Sequence, residues 1–143
     1  MSKIAMIFAG QGSQAVGMGK DFYENSEIAR EMFEKAGERI GVDFKELIFE
    51  ENEKLGQTAF TQPAILLIQM IAYRLFKDKC PNVQAELFLG HSLGEFSALC
   101  ASAHTFSTLA SSRPTRTIIP ASMPSQADCI SEPRLCTSST AST

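Results

Sequence analysis

The chain has 143 residues, a formal net charge of −3 and 44% apolar residues, enough for one ordinary domain or part of a larger one. Mild acidity gives no electrostatic reason to expect nucleic acid or an anionic membrane as partner, and no uninterrupted apolar run approaches the length that crosses a bilayer. Cys80, Cys100, Cys129 and Cys136 lack the paired spacing of a metal site, so they read as reduced thiols of a cytoplasmic protein, with no metal.

The chain opens on an apolar run, Lys3–Phe8, expected to be a buried parallel strand. The stretch Ile4–Ala9 is too short for a signal-peptide core, and polar residues follow at once. Four of the nine glycines sit in the next loop, Ala9–Gly19. Glycines let backbone amides approach a ligand or form an inward-facing nest. The loop lacks both the G-x-G-x-x-G spacing and the Gly-Lys-Ser/Thr ending of phosphate binders. A plain flexible turn would explain it, but strand ends in open α/β sheets converge on one crevice, which favours a loop of donors for a site.

Ser26 is placed to cap a helix running to about Ile40, with Ile28, Met32, Phe33, Ala36 and Ile40 on its apolar face and Gly41 as its stop. Phe44–Glu50 reads as a further short helix. Gln62-Pro63 is expected to open a longer one, with Gln62 as cap and Pro63 at the first helical position. Ile65, Leu66, Leu67, Ile68, Met70, Ile71, Leu75 and Phe76 leave it little polar face, so it should be buried, and Pro81 should end it.

A short apolar run, Ala85–Leu89, then leads into Gly90-His91-Ser92-Leu93-Gly94-Glu95 and a helical stretch, Phe96–Ala101. Gly-x-Ser-x-Gly between strand and helix is the pattern of a nucleophile elbow. Side chains two positions either side of the serine would collide with the strand and helix, so glycine is required there. At the helix N-terminus, Ser92 has free N–H groups and the positive dipole end beside it, and these can stabilise an oxyanion once the hydroxyl attacks a carbonyl. The bare pattern arises by chance in roughly one chain of this length in twenty. A Gly-flanked serine that merely caps a helix is the alternative, and the strand–turn–helix context speaks against it. The order of elements argues for an α/β layered core with parallel strands.

After about Ser102 the composition changes. Ala103–Thr143 holds sixteen Ser or Thr and four of the six prolines, with no Gly and no Lys. Such a segment buries too little surface to offset its chain entropy and is expected to lack order. The expected division is therefore 1–102, the N-terminal part of a catalytic domain, and 103–143, a non-matching tail read as a frameshift or truncation product.

Residues before the break resemble the malonyl-CoA:acyl carrier protein transacylases and, more distantly, the acyltransferase domains of polyketide synthases. Three motifs carry the likeness: Met6-Ile7-Phe8-Ala9-Gly10-Gln11-Gly12-Ser13-Gln14, Thr61-Gln62-Pro63-Ala64 and Gly90-His91-Ser92-Leu93-Gly94-Glu95. The resemblance implies an incomplete α/β-hydrolase-like core, without the family's later strands and ferredoxin-like insertion. It also implies two-step acyl transfer in fatty acid biosynthesis. Malonyl-CoA would acylate Ser92, and the phosphopantetheine thiol of acyl carrier protein would take the malonyl group, with no bound cofactor. Carried over by position, the Gln11 and Leu93 amides form the oxyanion hole, and Gln62 and His91 bind substrate, with pinning of the elbow the alternative role for His91. The family's base histidine and carboxylate-clamping arginine have no recognisable match. His104, Arg113 and Arg116 lie in non-matching surroundings and are not assigned those roles. A serine hydrolase with the same elbow and a non-catalytic fragment remain the competing readings.

Overall fold

In the computed structural model, residues 4–108 and 116–117 are described. Strand β1 is Ala5–Phe8, followed by helices α1 (Lys20–Asn25), α2 (Glu27–Ile40) and α3 (Phe44–Phe49). A short 3₁₀ turn, Lys54–Gly56, leads into α4 (Thr58–Lys79), then β2 (Leu87–Gly90), α5 (Gly94–Thr108) and β3 (Arg116–Thr117). The strands form one parallel sheet in the order β1-β2-β3, with Ala5 opposite Leu87 and Phe8 opposite Gly90. This is a partial α/β core with parallel strands, as the sequence reading expects.

The helices assemble in two layers behind the sheet. Tyr73 of α4 sits between Phe8 of β1 and Phe88 of β2, making edge-on ring contacts at 6.4 and 6.2 Å. Ala98 and Ala101 of α5 complete that core, and their small side chains let the helix approach the sheet closely. The other side of α4 buries Ala64, Leu67 and Ile71 against Ala29, Phe33, Phe44 and Ile48 of α2 and α3. By length and composition α4 could cross a bilayer, which the reading from uninterrupted runs does not anticipate. Its place between two cores explains its apolarity without a membrane.

The local signals for α2 act as expected. The Ser26 hydroxyl accepts from the Ala29 N–H at 3.3 Å, and Gly41 ends the helix in a left-handed conformation. The buried face is centred on Ala29, Phe33 and Ala36, while Ile40 is exposed. Asp43 caps α3 through the Lys45 and Glu46 amides.

One expectation about α4 is corrected. The helix begins at Thr58, so Gln62 is not its cap and Pro63 lies inside it. The early turn is held by local bonds from inside the helix in place of a side-chain cap: the buried Thr61 hydroxyl donates back to the carbonyls of Leu55 (2.5 Å) and Gln57 (2.9 Å). As expected, α4 packs into both cores. The large apolar residue most exposed among those described is Ile7 of β1, at 75%. Ala5, Ile7, Leu87 and Leu89 share the sheet face away from the helices, by the parallel register and the alternation of side chains.

Helix α5 crosses the composition break at Ser102 and runs to Thr108, and Arg116–Thr117 pairs beside β2. The expectation of a tail without order otherwise falls outside the described residues, as do Arg113 and the side chains of His104 and Arg116.

Candidate active site

The turn between β2 and α5 is built by close backbone approach. A Cβ on Gly90 would sit 2.0 Å from the Gly94 carbonyl carbon, and one on Gly94 would sit 2.2 Å from the Phe8 carbonyl oxygen. Neither space admits a side chain, because what fills it is backbone. Between them Ser92 adopts φ 55°, and it alone among the described non-glycine residues has positive φ. For a serine this left-handed conformation costs free energy that the surrounding strand and helix must hold in place. The strain places Ser92 exposed at the head of α5.

The first turn of α5 consumes part of its donor set. The N–H groups of Gly94, Glu95 and Phe96 donate to the carbonyls of His91, Ser92 and Leu93, each at 3.0 Å. Among the described residues the Leu93 N–H makes no backbone hydrogen bond, which leaves a donor beside the serine at a helix N-terminus. The Leu93 side chain is buried, anchoring that peptide while its amide stays open.

The loop after β1 faces the elbow. The His91 N–H donates to the Phe8 carbonyl at 3.3 Å. The His91 ring lies over Gly10, with Nδ1 3.0 Å from where a Cβ on Gly10 would be. The Gln11 N–H, like that of Leu93, makes no backbone hydrogen bond among the described residues. The Gln11 side chain is engaged: its Nε2 donates to Thr58 Oγ1 at 3.1 Å and its Oε1 accepts from Gln62 Nε2 at 3.3 Å. The loop is therefore tied to the N-terminal turns of α4, and Gln11, Gln62, His91, Ser92 and Leu93 belong to one corner of the molecule.

At its far end the same loop is fastened to the helical layer. The Gly17 N–H donates to the Ile48 carbonyl at 2.7 Å, and Gly19 packs against the Ile68 side chain of α4, which a Cβ would push aside. Sequence reasoning misses three residues of this corner. Thr58 partners Gln11, while Gln69 of α4 donates to the Ala9 carbonyl at 2.8 Å and accepts from the buried Ser97 hydroxyl at 2.5 Å. The available signal was Gln69 itself, the one polar side chain between Pro63 and Tyr73. Among the described residues no cluster of His, Cys, Asp and Glu could hold a metal ion.

Comparison with known proteins agrees with this geometry. The profile of the acyl transferase domain family matches residues 5–119. A malonyl CoA-acyl carrier protein transacylase of Haemophilus influenzae is 45% identical over 103 residues, covering 71% of this chain and 33% of that protein. One of Bacillus subtilis is 42% identical over 108 residues, covering 74% of this chain and 27% of that protein. The crystal structure of malonyl-CoA:acyl carrier protein transacylase from Helicobacter pylori superposes with a TM-score of 0.68 at 48% identity, covering 70% of this chain and 33% of that one. A further likeness is to a malonyl-transacylase in complex with a type II polyketide acyl-carrier protein, with a TM-score of 0.66 at 36% identity, over 71% of this chain and 33% of that one. The chain spans about a third of the length of these relatives.

Proposed function

We propose that this chain, which belongs to the acyl transferase domain family, carries the nucleophile-bearing part of a malonyl-CoA:acyl carrier protein transacylase of fatty acid biosynthesis. The observation that carries the reading is Ser92 at φ 55° on a turn walled by Gly90 and Gly94, beside the loop of Gln11. In the proposed reaction Ser92 Oγ attacks the thioester carbonyl of malonyl-CoA, and the Gln11 and Leu93 amides take the charge that develops on oxygen. The tetrahedral intermediate collapses with loss of the CoA thiolate, leaving malonyl-Ser92. The phosphopantetheine thiol of acyl carrier protein then repeats the attack and releases the serine. Gln62 and His91 line the site. Gln62 acts on the loop through the Gln11 side chain, and His91 packs the loop against the elbow.

The work proceeds in the cytoplasm with no bound cofactor; CoA and carrier protein are substrates. The stretch before the composition change, with α5 running through it, is the catalytic part. A hydrolase with the same elbow would also form an acyl-serine. The donor loop directly after β1, tied to α4 through Gln11, favours transfer.

Full turnover needs a base for the serine and a partner for the malonyl carboxylate, for which no match is recognised in this sequence. A nucleophilic serine without its base loses about 10⁴–10⁶-fold in rate. The test is transfer from radiolabelled malonyl-CoA to carrier protein. It is run on the 143-residue chain and on residues 1–102 extended by the remainder of a relative. Transfer is expected only with the extended chain, and Ser92→Ala should abolish it there. Rapid, Ser92-dependent labelling of the 143-residue chain would overturn the assignment of the missing groups. An extended chain active without Ser92 would overturn the nucleophile.

A further inference from the structure

Two side chains outside the reaction scheme converge on the loop that follows β1. Gln69 stands midway along α4, flanked by apolar residues from Ala64 to Ala72. Its Nε2 donates to the Ala9 carbonyl at 2.8 Å, and its Oε1 accepts from the Ser97 hydroxyl at 2.5 Å. Ser97 is fully buried and lies near the start of α5, just beyond the elbow. The Ala9 oxygen is 2.8 Å from where a Cβ on Gly94 would be, so it is wedged between Gln69 and the elbow backbone. One amide thus joins the exit of β1 to the helix that carries Ser92. Filling space does not require it: a methionine would occupy the same volume, and the surrounding positions on α4 are apolar. What the amide adds is a donor aimed at one element and an acceptor aimed at the other.

The next peptide along is also held. The Gly10 carbonyl accepts from the Ser13 hydroxyl at 2.8 Å and from the Ser13 N–H at 3.4 Å. In a planar trans peptide the C=O and the following N–H point in opposite directions from one rigid plate. Holding the Gly10 carbonyl therefore sets the direction of the Gln11 N–H. Rotation of that plate would replace a donor with a carbonyl. Loss of one oxyanion donor lowers turnover by about 10²–10³-fold.

We propose that Gln69 and Ser13 are positioning residues of the oxyanion site: Gln69 fixes the β1 exit against the Ser92 helix, and Ser13 sets the rotation of the Gly10–Gln11 peptide. The inference rests on the oxyanion role given above to the Gln11 and Leu93 amides. Its geometric content is testable without any acyl transfer, so an inactive chain does not decide it.

The experiment follows backbone amide resonances of the ¹⁵N-labelled 143-residue chain. Gln69→Met keeps the volume and removes both bonds, so the Gln11 and Leu93 resonances should both move while those of α2 and α3 stay. Gln69→Glu keeps the acceptor for Ser97 but sets a carboxylate against the Ala9 carbonyl; Gln11 should move and Leu93 should not. Ser13→Ala should move Gln11 alone. Ser97→Ala should move Gln11 in the parent chain and leave it in place in the Gln69→Met background. A residue that contributed only stability would lower the unfolding midpoint without this pattern. A Gln11 resonance unmoved by Ser13→Ala or by Gln69→Met overturns the proposal. So does a parent chain with no dispersed amide spectrum, since the geometry would then be absent.

Discussion

Ser92 shows how an exposed side chain at a turn is placed at a cost. Its φ of 55° lies in the region that favours glycine, a strain of about 1 kcal/mol or more. Ser92→Gly relieves that strain but adds about 0.4–1 kcal/mol of unfolded-chain entropy, so folding stability in urea denaturation should be unchanged or slightly raised. A loss of about 1 kcal/mol or more would mean that the turn is not strained. The flanking glycines behave in the opposite way. A Cβ on Gly94 would meet the Phe8 carbonyl oxygen at 2.2 Å, and backbone cannot yield as a side chain can. Gly94→Ala should cost about 3 kcal/mol or more by the same measurement. Both effects were legible in the sequence, because Gly-x-Ser-x-Gly states the steric requirement directly. Gln69 was not, since its two partners, Ala9 and Ser97, are distant along the chain and meet it only once α4 packs between β1 and α5.

Among the elements, α2 and α4 divide according to where their start signals reside. Helix α2 begins at a side-chain cap, Ser26, and its start is readable from sequence. Ser26→Ala should destabilise the chain by about 1 kcal/mol in the same urea titration, and a change of a few tenths would mean the cap bond is replaced. Helix α4 begins without a side-chain cap bond. Its start is held by the Thr61 hydroxyl reaching back four and six residues to the Gln57 and Leu55 carbonyls, from a position inside the helix and not at its cap. Proline at the first helical position is the common arrangement, and that expectation set the start too late. Deeper in the same helix, Tyr73 bridges Phe8 and Phe88 at 4% exposure. Tyr73→Ala should cost about 3–5 kcal/mol, as truncation of a buried aromatic ring does, and should loosen the sheet from α4 in hydrogen exchange.

At the scale of the whole molecule, the helices cover one face of the sheet and leave Ala5, Ile7, Leu87 and Leu89 on the other. Parallel sheets are ordinarily covered on both faces, because their strands are apolar on both. Exposed apolar surface on an edge strand invites association. The chain should therefore self-associate with concentration in light scattering. Ile7→Lys should raise the monomer fraction with a stability change within about 0.5 kcal/mol. Equal association of both chains would place the sticky surface elsewhere. The most continuously apolar element, α4, contributes to both cores, whereas β1 lies at the sheet edge.

Sequence alone determined the family, the elbow, the parallel α/β arrangement and the limits of the capped helices. Each of these is written in neighbouring residues: a steric demand for glycine, a hydroxyl at a cap, an apolar run between turn residues. Tertiary structure decided which polar groups meet. The tie from Gln11 to Thr58 and Gln62, the bridge of Gln69 between Ala9 and Ser97 and the exposure of Ile7 on the sheet face all depend on how residues far apart in the chain meet. A local pattern records what a segment requires of its own backbone. It does not record which donor from another segment arrives, because that is settled by how the layers pack.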